Sequence, residues 1–265
     1  MGKSNQSTQE INSQAQNPLG TAPVGGLIAK FAIPAIISML VSAMYNIVDQ
    51  IFIGQGVGML GNAATNVAFP VTTIATALAL LLGIGGASNY NLEMGAGQEK
   101  KASGIAGTAL SSLVISGLIL AVIALVFLKP LLTLFGATTD VMPYAVDYTG
   151  ITALGLPFYI LSVGGNHVVR ADRSPTYSMT CIMIGAIINT ILDPVFIFVF
   201  GWGIKGAAWA TVIGQVVSGV LVIVYFWKFR NMYLTGAMLK PKMPYLKAII
   251  SLGLASCICL LYTSP

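Results

Sequence analysis

Two stretches of this sequence carry no charged residue over lengths that a water-soluble domain seldom tolerates: 27 positions at 102–128 and 22 at 206–227. A helix of about 20 mostly apolar residues crosses the hydrocarbon core of a bilayer. It can do so because it satisfies its own backbone N–H and C=O groups, for which the bilayer interior offers no water. The feature repeats along the chain. From Leu27 onward, apolar segments alternate with short polar ones, giving candidate spans at 27–53, 64–91, 102–128, 141–169, 176–200 and 205–227, and a seventh that starts near Tyr245. Barrel strands are excluded, because the runs are too long and do not alternate. The fold class read from the sequence is all-α: a polytopic membrane bundle of six complete helices and the start of a seventh. Only 8% of the residues are charged. Soluble domains carry about 25%, so an ordinary water-facing surface is excluded.

The rest of the chain is organised around these spans. Residues 1–26 are polar and rich in Gln, Asn and Ser, and read as a disordered cytoplasmic tail. They lack the apolar core of a cleavable signal peptide, and Gln6 breaks the acylation pattern that follows Gly2. Residues 27–228 form an amino-terminal six-helix lobe, 229–244 a basic, Pro-containing cytoplasmic linker, and 245–265 a truncated seventh helix. Placing the amino terminus inside puts eleven basic residues, among them Lys100, Lys101, Arg170, Arg173 and Lys240, at the inner face. Only Lys129 and Lys205 then lie outside. This asymmetry is the positive-inside signal. It accounts for the net charge of +5 without a nucleic-acid partner. Tyr225, Phe226 and Trp227 sit at the inner edge, as interfacial anchors do.

Little catalytic chemistry is available. A single histidine, His167, and three cysteines without a CxxC pair give no metal site. HExxH, GxSxG and a phosphate-binding lysine loop are absent, so no catalytic residue is assigned and no cofactor expected. One GxGxxG occurs at Gly56, Gly58 and Gly61, but it follows a span and has no acid about 20 residues on; it reads as a tight external loop. His167 reads as a boundary residue. Met39, Met44, Met179 and Met183 read as core packing in preference to an adaptable binding surface. Gly83, Gly85, Gly86, Gly164, Gly165, Gly214 and Gly219 permit close helix contact.

The informative residues are acids inside spans, because an ionisable group in a bilayer is costly and usually faces a bundle interior or a wet cavity. At about 1.5 Å per residue, Asp49 lies roughly 33 Å along the first span and Asp193 roughly 25 Å along the fifth. Asn189 stands one turn before Asp193 on the same face, and Thr211 lies six residues into the sixth span. Four polar groups from three spans thus share one level in the outer half. Periodicity leaves open whether they face each other or cap helix ends in the headgroup layer. Apolar Ile191, Leu192 and Val195 around Asp193 favour the cavity, whereas Asp147, two turns from an outer loop, reads as a helix-end group. Pro34 and Pro194 should bend their helices or free a carbonyl.

Several segments, in this order, resemble the multidrug and toxic compound extrusion (MATE) transporters, especially their bacterial MepA-like branch. Ala32-Ile33-Pro34 leads to Asn46-Ile47-Val48-Asp49 and Ile53-Gly54. Met94-Gly95-Ala96-Gly97 precedes Lys100-Lys101-Ala102, and Val169-Arg170-Ala171-Asp172 precedes Ser174-Pro175. Asn189-Thr190-Ile191-Leu192-Asp193-Pro194 is followed by Gly206-Ala207-Ala208-Trp209-Ala210-Thr211. The resemblance covers about Leu27–Ser256. It implies one lobe of a two-lobed transporter of the cell membrane. Such a transporter exports amphipathic or cationic organic compounds in exchange for protons or sodium. It also implies an ion-coupling site at Asp49, Asn189, Asp193 and Thr211, with Pro34 and Pro194 as conformational hinges. The expected partners are small-molecule drugs, membrane lipid and a carboxyl-terminal lobe that this chain lacks. Two features depart from the family pattern: Arg173, where glycine is common, and the segment Cys257–Pro265, which reads as non-native. Alternatives are a flippase for a lipid-linked precursor, which the scarcity of Lys and Arg within the spans disfavours, and a non-transporting membrane fragment.

Overall fold

The computed structural model describes residues 24–227 and 240–263. The tail at 1–23 and most of the linker lie outside the described residues. Every regular element among those described is helical. In chain order they are α1 (Val24–Gly56), α2 (Met59–Gly95), α3 (Glu99–Val126), α4 (Leu128–Leu134), α5 (Met142–Ala171), α6 (Pro175–Pro194), a π-helical turn (Val195–Val199), α7 (Ile204–Trp227) and α8 (Met243–Thr263). Seven of these segments are long and apolar enough to cross a membrane. The chain is a multi-pass membrane protein. The seventh span, α8, runs 21 residues and continues through Cys257 to Thr263.

Three details differ from the sequence reading. The GxGxxG segment is barely a loop: Gly56 ends α1, Gly61 lies within α2, and only Val57 and Gly58 connect them. Gly58 adopts φ 84°, a left-handed conformation that glycine reaches without steric cost. The third span ends at Val126, and Lys129 belongs to the seven-residue helix α4. Pro130 sits in its first turn, where a missing N–H costs nothing. The fifth span does not stay α-helical. Beyond Pro194 the chain opens into the wider π-turn, in which Phe200 N–H donates to the Val195 carbonyl at 3.0 Å.

The main core lies between α2, α3, α5 and α7, with α8 laid against α2. Small residues set the helix spacing. A side chain at Gly83 would meet the backbone of Gly164, so α2 and α5 pack backbone to backbone. Gly185 and Gly214 do the same for α6 and α7: a Cβ on either would stand 3.0 or 2.8 Å from the other's carbonyl oxygen. Gly85 faces the Ile249 carbonyl and Gly253 the Leu81 carbonyl, while Asn89 Nδ2 donates to Ala248 O at 3.0 Å. This seam fixes α8 on α2. Without a hydrophobic force between helices in lipid, such close contact and interhelical hydrogen bonds hold a bundle together.

α1 and α8 bury the smallest share of their surface among the spans. α1 rests chiefly on α6 and turns Ile33, Ile36, Met39, Leu40, Met44 and Ile47 outward. The reading of Met39 and Met44 as core packing is therefore corrected, since they are 73% and 57% exposed. Their residue type was compatible with either face; the packing partner of α1 decided which.

At the end of the bundle that carries Arg173, Asp172 is buried between helices. Tyr90 of α2 and Tyr225 of α7 donate to its two carboxylate oxygens at 2.8 and 2.7 Å. Arg173 beside it has φ 61°, the conformation that explains why glycine suits this turn.

Candidate ion site

Toward the opposite end, which carries the Met59 turn, α1, α6 and α7 bring together the four residues singled out by their chemistry. Asp49, Asn189 and Asp193 are buried at 7%, 3% and 0% exposure, and Thr211 is half-buried. The amide Nδ2 of Asn189 lies 3.4 Å from both Asp193 Oδ1 and Thr211 Oγ1. The one-turn spacing on α6 and the Gly185–Gly214 contact make this possible, because they draw α7 in beside the polar face of α6. Asp49 and Asp193 are close neighbours across the α1–α6 contact.

Two facing carboxylates require a proton or a cation between them. Among the described residues, no basic side chain is paired with either acid. Among the described residues, the salt bridges lie elsewhere, Lys101–Glu93 at 2.7 Å and Lys205–Asp147 at 3.3 Å. Asp49 Oδ1, Asp193 Oδ2 and Asn189 Oδ1 are buried acceptors without a protein hydrogen-bond partner. A buried acceptor left unpaired costs about 1–3 kcal/mol. Three such oxygens in neighbouring side chains form a set of ligands that could hold a proton or a hard cation.

Sequence reasoning missed the tyrosines around this pair. Tyr148 of α5 lies beside Thr211 and close to both carboxylates. It is the neighbour of Asp147, which points the other way to pair with the half-exposed Lys205; successive helical residues diverge by about 100°. Tyr45 stands one turn before Asp49 and near Tyr159, whose hydroxyl shares a 2.8 Å hydrogen bond with Thr76. A tyrosine one turn from an acid was the available signal. Pro194 stands next to Asp193 at the start of the π-turn, whereas Pro34 lies far along α1 from Asp49, where its carbonyl accepts from Ser38 at 2.6 Å. His167 lies apart, lining a cavity of about 820 Å³ at the Arg173 end with Arg170 and Asp172.

Two buried acids on crossing helices thus lie inside a bundle of membrane-spanning helices joined at glycine seams, the architecture of a polytopic transport protein. Residues 34–195 match the MatE family model, and the chain belongs to that family. It is 31% identical over 196 residues to the multidrug export protein MepA of Staphylococcus haemolyticus, covering 74% of this chain and 43% of the relative. It is 33% identical over 215 residues to the FAD transporter of Shewanella oneidensis, covering 77% and 47%. Among solved structures, one described as the outward-facing conformation of a multidrug resistance MATE family transporter of the MOP superfamily superposes with a TM-score of 0.81 at 29% identity. That match covers 88% of this chain and 52% of the other. The chain spans about half the length of the curated relatives it matches.

Proposed function

We propose that this chain supplies the ion-coupling lobe of a cell-membrane antiporter. The antiporter exports amphipathic or cationic organic compounds in exchange for protons or sodium, and its amino terminus is cytoplasmic. The observation that carries the reading is the neighbouring pair Asp49 and Asp193, each with one unpartnered buried oxygen, beside a third on Asn189. When a proton or sodium ion is bound there, one of the two charges is cancelled, the repulsion between the carboxylates is relieved and α1 can hold against α6. When the ion leaves, two like charges face each other and the contact loosens. A second lobe forms the other wall of the substrate path, and Pro34 and Pro194 absorb the change in helix shape. A ligand shifts such an equilibrium only by binding one state more tightly than the other, and the acid pair provides that difference for the ion.

The name of the MepA relative favours drugs as substrates, and that of the FAD transporter raises a flavin nucleotide. The groove of about 520 Å³ beside the site favours the former. It is lined by Asn46, Gln50, Gln55 and Asn62 among apolar residues, and none of its lining residues is basic. A dianionic diphosphate would find no counter-charge there.

The test is efflux of a fluorescent cationic dye from cells expressing the complete transporter that contains this lobe, under imposed proton or sodium gradients. Asp193→Asn keeps size but removes titration, and should abolish gradient-driven efflux while membrane levels hold. Asp147→Asn should leave most activity. Equal efflux by wild type and Asp193→Asn would return Asp193 to a structural role.

A further inference from the structure

We infer that Ile53, Ile197 and Ala207 form an apolar gate that closes the ion site from the solution at the Met59 end, with Gly56 as the contact point that lets it shut. The inference rests on the ion-site reading above and adds to it the residues that control access. The three residues stand in register with the site. Ile53 follows Asp49 by four positions, Ile197 follows Asp193 by four, and Ala207 precedes Thr211 by four. On α1 and α7 residues at that spacing share a helix face, and the π-turn that continues α6 carries Ile197, so each segment that brings a polar group to the site has an apolar residue nearer the Met59 end. They meet as a separate core cluster, at 0%, 4% and 0% exposure, with Phe52 and Val57 packed around them.

The layer depends on a close approach of α1 to the π-turn. A Cβ on Gly56 would collide with Ile197 Cγ2. Phe52 and Phe198 brace the same contact edge to face, with ring centroids 6.3 Å apart. A hydrated cation crossing this layer would be stripped of water with no oxygen ligand in return. The acids therefore exchange ions with the Met59-end solution only when α1 lifts from Ile197, and α1 is among the two least buried spans. The π-turn has a definite task in this scheme, since it delivers Ile197 into the layer just past Pro194.

The experiment places a thiol beneath the layer and times its modification. The 265-residue chain, with Cys181, Cys257 and Cys259 changed to alanine and Asp193→Cys added, is held in nanodiscs and exposed to a cationic, membrane-impermeant methanethiosulfonate. Labelling should be slow. Ile197→Ala and Ile53→Ala should each accelerate it at least tenfold, and Gly56→Ala should do the same by propping α1 away. Ile191→Ala, on the exposed side of α6, should change nothing. Labelling as fast as at an exposed Met59→Cys thiol would overturn the proposal. So would an unchanged rate in Ile197→Ala and Ile53→Ala with helical content intact. Should Ile197→Ala fail to fold, Ile197→Val decides by the same criterion: a faster rate supports the gate and an equal rate refutes it. Labelling reads access alone, so the gate stands or falls separately from the effect of Asp193→Asn on efflux.

Discussion

A hydroxyl that is one bond of a network is worth about 1 kcal/mol, which sets what the site's supporting residues should show. Tyr148→Phe and Thr211→Val each remove one of two neighbouring hydroxyls beside the acids. Each should weaken ion binding about fivefold, read as the shift in half-saturating ion concentration for dye efflux by the complete transporter. The double variant should depart from the product of the two, because the hydroxyls are neighbours at one site; full additivity would show that they act separately. Arg173 offers a second case. Its φ of 61° costs a non-glycine residue about 1–2 kcal/mol, offset in part by the greater unfolded freedom of glycine. Arg173→Gly should raise the thermal midpoint by a few degrees, and a lowered midpoint would assign the guanidinium a stabilising contact. At this scale the sequence was legible wherever chemistry clashed with its surroundings. Asp49 and Asp193 stood out because charge is rare in an apolar run. Tyr148 did not, because tyrosine is equally at home in a span, at an interface or in a core. Asp172 was visible only as part of a motif, since an acid in a short polar connection looks like any solvated loop residue until Tyr90 and Tyr225 are seen to enclose it.

Helices read well as elements because each announces itself by length and by freedom from charge, and the spacing between them follows from glycine. Gly164 on α5 is enclosed by the Leu113 side chain and the Ala79 carbonyl, at 2.4 and 2.8 Å from an added Cβ for the nearest atoms of each. Gly164→Val should cost about 1–3 kcal/mol, as overpacking does. Gly150→Ala should be nearly neutral, with only Leu128 Cδ2 at 3.7 Å. Thermal unfolding in detergent, followed by circular dichroism, separates them; equal midpoints would show that α2 and α5 have room to part. Hydropathy was blind to the break at Pro194. Proline indicates that the hydrogen-bond ladder is interrupted, but whether a kink, a stop or a π-turn results is set by Ile197 seeking the Gly56 side of α1. The helix α4 was hidden for a related reason: seven residues that start beside a lysine and a proline carry too little periodicity to stand out from a loop.

The whole molecule adds orientation and assembly. With the amino terminus inside, thiols introduced at Met59 and Lys205 should react with an impermeant maleimide from outside intact cells, and those at Lys100 and Lys240 should not. The reverse pattern would invert the topology. The count of basic residues made this expectation possible, since charge placement is a property of the chain order. The contact of α8 with α2 was not foreseeable, because nothing local to Gly253 names Leu81 as its neighbour. That contact also sets a clock. Asn89 and Ala248 are 159 residues apart. At about 5–20 residues per second of synthesis, α2 waits roughly 8 to 32 s before the helix that covers Gly85 leaves the ribosome. Throughout that interval the seat for α8 is occupied by lipid, the insertion machinery or nothing at all. Final assembly of the bundle is thus a late event, governed by how long a half-finished protein can be kept in the membrane.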